Sequence, residues 1–328
     1  MIKMFKGVWS YPAYDFVGGP EKVEEMVNRL ASYGFNLIIP AVKDERGLFV
    51  FKTSRGKRYP MVDEWDPLRK LVETAHNYGL EVHPWLCVFH EGEESIFLEE
   101  HPEYRALDIK GNPIKGNWAC PGELEVQMHE LELYKEVMEN YDVDGVHLDY
   151  IRYANIDMCC CEKCKDIDKK LGIRLNELNR RHPKWPEWVE LRIKNITTFV
   201  KRLREESKKY GLDVSAAVFS DYPRCMVNNG QDWVSWAEMK LVDHLFPMTY
   251  TQIVKEVKAA TKNHVAQLKD TDILLAEGLA PWIPLKTSIL IEEVKIAYLT
   301  GADGVIFYHY GSLTDEALES IKEFEEQI

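Results

Sequence analysis

The sequence predicts an α/β chain folded as a single (β/α)8 TIM barrel over residues 1–328, and three observations carry that prediction. Eight apolar runs of strand length alternate with eight stretches of helical period. The runs are near-continuous rather than alternating, as strands buried on both faces of a parallel sheet are. The turn after the first run, Ser10 to Asp15 (SYPAYD), lacks the Gly-rich phosphate loop that an open doubly wound sheet would carry there. The chain has 328 residues, a length that barrels reach as one domain, and no low-complexity linker divides it.

Taken in order, Phe5 to Tyr11 (FKGVWSY) is the first strand, and Pro20 to Tyr33 is a helix with Val23, Met26, Val27 and Leu30 on its apolar face. Gly34 stops that helix, and Phe35 to Val42 (FNLIIPAV) is the second strand. Asp66-Pro67 supplies an N-cap with proline at the first helical position, and the helix ends at Gly79. Glu81 to Phe89 is the third strand, Pro121 to Tyr141 a helix, and Asp144 to Tyr150 (DGVHLDY) the fourth strand. A long helix from Trp185 to Tyr210 closes on Gly211 before the fifth strand, Asp213 to Ser220. A short helix around Trp233 to Met239 leads to the sixth strand, His244 to Tyr250. Helix Ile253 to Leu268, strand Asp272 to Leu279, helix Ser288 to Leu299, strand Gly304 to Gly311 and a helix from Thr314 complete the count. Long loops follow strands 2 (Lys43 to Trp65), 3 (His90 to Trp118) and 4 (Arg152 to Pro183), at the end of a barrel where active sites are built.

Composition narrows the partners. With 54 acidic against 41 basic residues the net charge is −13, and the basic clusters Lys201 to Arg204 and Lys208-Lys209 sit in a helical pattern around Glu205 and Glu206. A phosphate backbone wants a basic face, so nucleic acid is excluded as a partner, and a neutral or cationic ligand fits better. No apolar run reaches signal-peptide length at Met1 to Gly7, or the roughly 20 residues of a membrane span elsewhere, so no membrane partner is expected. Nothing in the composition fixes an oligomeric state. The seven cysteines are an odd number with four crowded between Cys159 and Cys164, a poor disulfide framework, which implies a reducing, cytoplasmic setting.

The strongest chemical signal is the fourth strand. Parity places His147 and Asp149 on one face, with Val146 and Leu148 on the other. Asp149 then stands at the C-terminal rim with His147 one layer below. A carboxylate there is costly unless it is paired or functional, the structural alternative being a cap or an ion pair with Arg152. Glycosidic bond cleavage needs a second carboxylate across the pocket. Glu277, which interrupts the seventh strand, is the first candidate, against a salt bridge to Lys286 or Arg152. Asp221, just past the fifth strand, is the second, against a turn role before Tyr222-Pro223.

Aromatic residues crowd the same rim: Trp9 and Tyr11, Trp85, Tyr250, Trp282, Tyr308 and Tyr310. Sugar rings stack their C–H faces on such side chains, whereas core filling is the alternative for each one singly. His83 shares a face with Trp85 and reads as a hydrogen-bonded interior residue before a catalyst. Cys161-x-x-Cys164 has the pitch of half a zinc site, with Cys159 or Cys160 as a third ligand and His182 as a distant fourth; a structural zinc and a reduced surface cluster stand equal on this evidence. The end of the first strand, Val8-Trp-Ser-Tyr11, offers no His-x-His for a metal-dependent hydrolase, and no cysteine triplet has radical-SAM spacing.

At Val143 to Tyr153 (VDGVHLDYIRY) the chain resembles the glycosyl-hydrolase-like group 10 barrels. The Cys-Cys-Glu-Lys-Cys run, Asn117 to Gly122 (NWACPG), Gly230 to Trp236 (GQDWVSW) and Val242 to Tyr250 (VDHLFPMTY) extend the likeness. Tyr150 stands where many members have a second Asp, and Ala154 where a proline is frequent. More distantly, Gly-Val-His-Leu-Asp is similar to the Gly-x-Arg-x-Asp of α-amylase-type barrels, with His147 in the Arg position. The resemblance implies a (β/α)8 fold, a saccharide substrate and Asp149 as the rim aspartate. The resulting expectation is a glycoside hydrolase with Asp149 as nucleophile or base and Glu277, or failing it Asp221, as acid. His147, His83, Tyr250, Arg152 and Tyr308 would hold substrate, Trp85 and Trp282 would form sugar platforms, and no cofactor is required beyond the zinc that Cys159, Cys161 and Cys164 could bind. Two alternatives are a non-catalytic carbohydrate-binding barrel that has lost one carboxylate, and a zinc-organised scaffold for a protein partner.

Overall fold

A computed structural model describes residues 4–164, 172, 177–283 and 286–327; the remainder of the expected loop after the fourth strand lies outside the described residues. One all-parallel sheet holds β1 (Phe5–Ser10), β2 (Leu37–Lys43), β3 (Glu81–Val82), β4 (Trp85–Cys87), β5 (Gly145–Asp149), β6 (Asp213–Phe219), β7 (His244–Met248), β8 (Leu274–Leu279) and β9 (Gly304–Tyr308). Its order is β1-β9-β8-β7-β6-β5-β4-β2-β3, and a β1–β2 pairing closes it. β3 and β4 both pair with β2, so they are one stave and the barrel has eight. The stave is interrupted at His83-Pro84 because proline has no N–H for the ladder. The backbone still bridges the gap, with the His83 amide donating to Ile38 at 3.1 Å and the His147 amide to Pro84 at 2.9 Å.

The helices that cover the barrel are α1 (Glu21–Ser32), α2 (Pro67–Asn77), α3 (Leu124–Asn140), α4 (Trp185–Tyr210), α5 (Trp233–Glu238), α6 (Val254–Leu268), α7 (Thr287–Thr300) and α8 (Asp315–Glu325). Asp66 caps α2 through its side chain onto the Arg69 amide, as the sequence predicts. Outward strand residues such as Val8, Ile38, Val146 and Leu275 join the helix-facing core. A separate inner cluster, with Trp9, Ile39, Trp85, Cys87, Phe246 and Ile306 among its members, fills the barrel itself. Among the described residues no helix is long and apolar enough to cross a membrane.

Two irregularities shape the rim. The β2–β4 register shifts between Ala41 and Lys43, a bulge that re-aims the chain where the loop after β2 begins. That loop then crosses the loop after β4 backbone against backbone. A Cβ on Gly47 (φ 82°) would lie 2.1 Å from the Glu91 carbonyl oxygen, and one on Gly92 (φ 75°) 2.1 Å from the Arg46 carbonyl carbon, so both positions require glycine.

Candidate active site

Below the rim the barrel is filled by a chain of polar groups. The Trp9 indole N–H donates to His147 Nε2 at 3.2 Å, which leaves the proton of the neutral ring on Nδ1, 2.9 Å from Ser215 Oγ. Ser215 in turn lies 3.0 Å from His83 Nδ1, and the His83 and His244 rings stack at 5.4 Å. Burial lowers the pKa of all three imidazoles, that of His147 to about 3, so they stay neutral. His147 shares the inward face with Asp149, as strand parity requires. His83 and His147 are nevertheless fully buried, so the expectation that they orient substrate is corrected: they are hydrogen-bonded interior filling beneath the site.

Asp149, the last residue of β5, is the carboxylate of the rim. Tyr150 turns the chain sharply with φ 50°, a left-handed conformation that costs a bulky residue about 1 kcal/mol or more. The turn aims two donors at one oxygen. The Tyr150 amide donates to Asp149 Oδ1 at 2.6 Å and Arg152 Nη1 donates to it at 3.0 Å. Arg152 is itself sandwiched, 4.3 Å from the Tyr150 ring and 4.9 Å from that of Phe219. The ion pair foreseen as the structural alternative therefore exists, yet it engages Oδ1 alone, and Oδ2 accepts no hydrogen bond from the described residues. Burial raises the Asp149 pKa, with Arg152 and the Tyr150 amide acting against it.

Aromatic residues surround this carboxylate. The Tyr308 ring lies 5.6 Å from Tyr250 and 6.4 Å from Trp85, Tyr11 lies 5.3 Å from Trp85, and the Tyr11 and Tyr308 hydroxyls hydrogen-bond. Trp282 stands edge-on to Tyr250 at 6.4 Å and is 51% exposed, a free indole face at the mouth. Trp85 is buried, and its indole N–H has no partner among the described residues, an unused donor among these rings.

The two expected partner carboxylates are not in this group. Ala276 belongs to the inner cluster, so its neighbour Glu277 points outward, into the layer between barrel and α6. There Thr249 Oγ1 donates to Glu277 Oε2 at 2.8 Å, and His264 Nδ1 lies 2.7 Å from Oε1. His264 Nε2 lies 2.8 Å from the Ser220 carbonyl; burial pushes its pKa down, but the Glu277 hydrogen bond and charge raise it overall. Glu277 is thus a sealed structural group, neither an acid in the cleft nor a partner of Lys286. Asp221 is exposed on a turn, its carboxyl 3.8 Å from Arg224, which is the turn role foreseen for it. Glu277→Gln is expected to lower stability by about 1–3 kcal/mol while leaving turnover unchanged. Because the folded pKa of His264 is raised, the deficit should be full below about pH 6.5 and shrink above it. Urea titrations at two pH values check this, and a collapse of kcat without loss of stability would return Glu277 to the chemistry.

The rim carboxylate on which the charge of Asp149 acts is Glu45, which sequence reasoning missed. The bulge at the end of β2 delivers it to the rim. Its neighbour Asp44 builds the loop, accepting from the Arg46 and Leu48 amides at 3.0 Å each and from Tyr59 Oη at 2.5 Å. Glu45 is half-buried, with Oε2 enclosed and without a hydrogen-bond partner among the described residues. Burial raises its pKa, and the charges of Asp44 and Asp149 raise it further. Its own charge acts on Tyr11, Tyr150, Tyr308 and Cys87, the side chains around Asp149. The usable signal was positional: an acidic pair directly after a buried strand, on the barrel's catalytic face.

Comparison with known proteins agrees with this architecture. A family model described as glycosyl hydrolase-like 10 matches residues 5–286. The fold superposes on the PgaB (BpsB) glycoside hydrolase domain from Bordetella bronchiseptica with a TM-score of 0.77, at 15% identity over 97% of this chain and 98% of that one. It superposes on the catalytic domain of beta-amylase from Paenibacillus polymyxa with a TM-score of 0.71, at 11% identity over 98% of each. At such identities the likeness is one of fold. An S-layer-related protein from Niallia circulans is 29% identical over 215 residues, 52% of this chain, and the match spans only 13% of that protein's length.

Proposed function

The chain belongs to the glycosyl hydrolase-like 10 family, and from that premise we propose that it hydrolyses a glycosidic bond between Asp149 and Glu45. The observation that carries the reading is a buried and a half-buried carboxyl group beside an aromatic cleft, the charge of Asp149 acting on Glu45, each with one oxygen that accepts no hydrogen bond from the described residues. The two environments differ as the two roles demand. Asp149 has Arg152 and a backbone amide to favour its ionised form, which suits the nucleophile or base. At Glu45 burial and the two neighbouring anions Asp44 and Asp149 outweigh the opposing charge of Arg46, which suits an acid that must hold a proton for the leaving oxygen. Trp282 and Tyr250 would stack a sugar ring at the mouth, and the Trp85 indole N–H and the Tyr11–Tyr308 hydroxyl pair would serve its hydroxyls.

The test is release of reducing ends from a panel of oligo- and polysaccharides, followed by Glu45→Gln on the substrate that is cleaved. The variant should lose about 10²-fold or more in kcat and lose the alkaline limb of the pH profile, since the group that must stay protonated is gone. An unchanged alkaline limb would remove Glu45 from the acid role. Binding of a glycan by calorimetry with no cleavage of any panel member would favour the alternative, a barrel that holds carbohydrate without cutting it.

A further inference from the structure

We propose that Cys120, Cys159, Cys161 and Cys164 bind a structural zinc ion that ties the loop after β4 to the loop after β5. The proposal stands independently of the rim chemistry. The sequence supplies three ligands in the run Cys159 to Cys164 and suggests His182 as a distant fourth. In the structure the fourth is Cys120, 39 residues before the run, and His182 Nδ1 is instead used to accept the Lys184 amide at 3.1 Å. The four Sγ atoms all lie within 4.8 Å of one another and all four residues are buried. Cys120 Sγ and Cys164 Sγ are 3.6 Å apart, beyond a disulfide bond and close to the ~3.8 Å edge of a tetrahedron built with Zn–S distances of about 2.3 Å. None of the four is in a disulfide.

Two surrounding features fit a charged tetrathiolate better than four thiols. Arg192 is buried beside the cluster, where the charges of Asp157, Cys159 and Cys164 act on it, and no carboxylate among the described residues forms an ion pair with it. Its guanidinium lies 4.5 Å from the rings of Tyr153 and Trp188 and, among the described residues, donates to the carbonyl oxygens of Asn155, Val227 and Asn228. A buried guanidinium needs an anion, and four thiolates around one Zn²⁺ carry two net negative charges. The loops are also already joined beside the cluster, where the Cys160 amide donates to the Leu107 carbonyl at 2.8 Å, while within the loop after β4 the Cys120 amide donates to the Tyr104 carbonyl at 2.9 Å. The ion would lock this junction, and with it the segment whose first residues, Tyr150 and Arg152, hold Asp149.

The experiment is elemental analysis of the full chain, purified without a metal-affinity step, combined with thiol titration and thermal melting. About one zinc per chain is expected, with the four thiols shielded from a thiol reagent until a strong chelator is added, and with Tm lowered by the chelator. Cys120→Ser should reduce zinc by roughly tenfold, whereas Cys225→Ser, which removes a buried thiol bound to the Gln231 carbonyl instead, should keep it. Should Cys120→Ser fail to fold, the wild-type measurements decide alone. Zinc-free protein whose four thiols react freely, a pair of disulfides found by mass, or stoichiometric iron in place of zinc would each overturn the proposal.

Discussion

Asp149→Asn is expected to lower kcat by about 10³-fold on any glycan that the protein cleaves, with little change in KM or in Tm. Asparagine keeps the shape, and its Oδ1 can still accept from the Tyr150 amide and from Arg152, so the turn that φ 50° at Tyr150 creates should survive. What is lost is the anionic Oδ2, which accepts no hydrogen bond from the described residues and which the proposed mechanism uses to attack or to activate water. The pH dependence follows from the same environment. Burial raises the Asp149 pKa, so the acid limb of kcat/KM should sit above the ordinary carboxylate range of about 4. Arg152→Met, which removes the favourable charge, should move that limb higher still. Steady-state kinetics of both variants from pH 4 to 8 test the pair of statements. Full turnover by the Asn variant would end the two-carboxylate mechanism, and the carbohydrate-binding alternative would replace it.

How much of this was legible in sequence depended on whether a local rule had a unique solution. The barrel was, because Gly34, Gly79 and Gly211 end helices where continuous apolar strands begin, and Asp66-Pro67 opens one. Asp149 was, because the polar residues His147 and Asp149 alternate with Val146 and Leu148 and fix which face is inward. Glu277 was misread because its neighbours Leu274, Leu275, Ala276, Gly278 and Leu279 carry no alternation, so nothing marked its face. Glu45 was passed over because Lys-Asp-Glu-Arg-Gly reads as a polar turn, and only the bulge between Ala41 and Lys43 aims it at the rim. Cys120 was missed as a ligand for a different reason. Its partners lie on another loop, and spacing rules see only ligands close in sequence.

The first residue of the Lys-Asp-Glu-Arg-Gly turn carries the largest stability effect. Lys43, at the end of β2, is 1% exposed and pairs with two buried carboxylates, Glu91 Oε1 and Glu130 Oε1, at 2.6 Å each. Glu91 also accepts from Ser95 Oγ at 2.6 Å. Burial pushes the Glu91 pKa up, but the Lys43 charge brings it down to about 2, whereas burial keeps that of Glu130 well above the usual range. Lys43 thus holds the Glu91 pKa down against burial, whereas at Glu130 burial outweighs the Lys43 charge. Lys43→Met removes the cation and leaves Glu91 without compensation, a loss of about 3–5 kcal/mol at pH 7. The sign with pH is distinctive. In the native protein the depressed Glu91 pKa gives stability that is present above about pH 4.3 and lost as pH falls toward 2. In the variant burial is opposed only by the Ser95 and Glu130 hydrogen bonds and by His129, so the Glu91 pKa is expected to rise and stability to fall as pH rises above about 4.3. The difference between the two proteins in urea titrations should then be small near pH 4 and widen toward pH 7. Because Lys43 fastens the loop carrying Glu45 to the loop carrying Glu91, kcat of the folded variant should drop as well. A variant within about 1 kcal/mol of the wild type at pH 7 would mean that the two carboxyl groups share their charge with water rather than with Lys43.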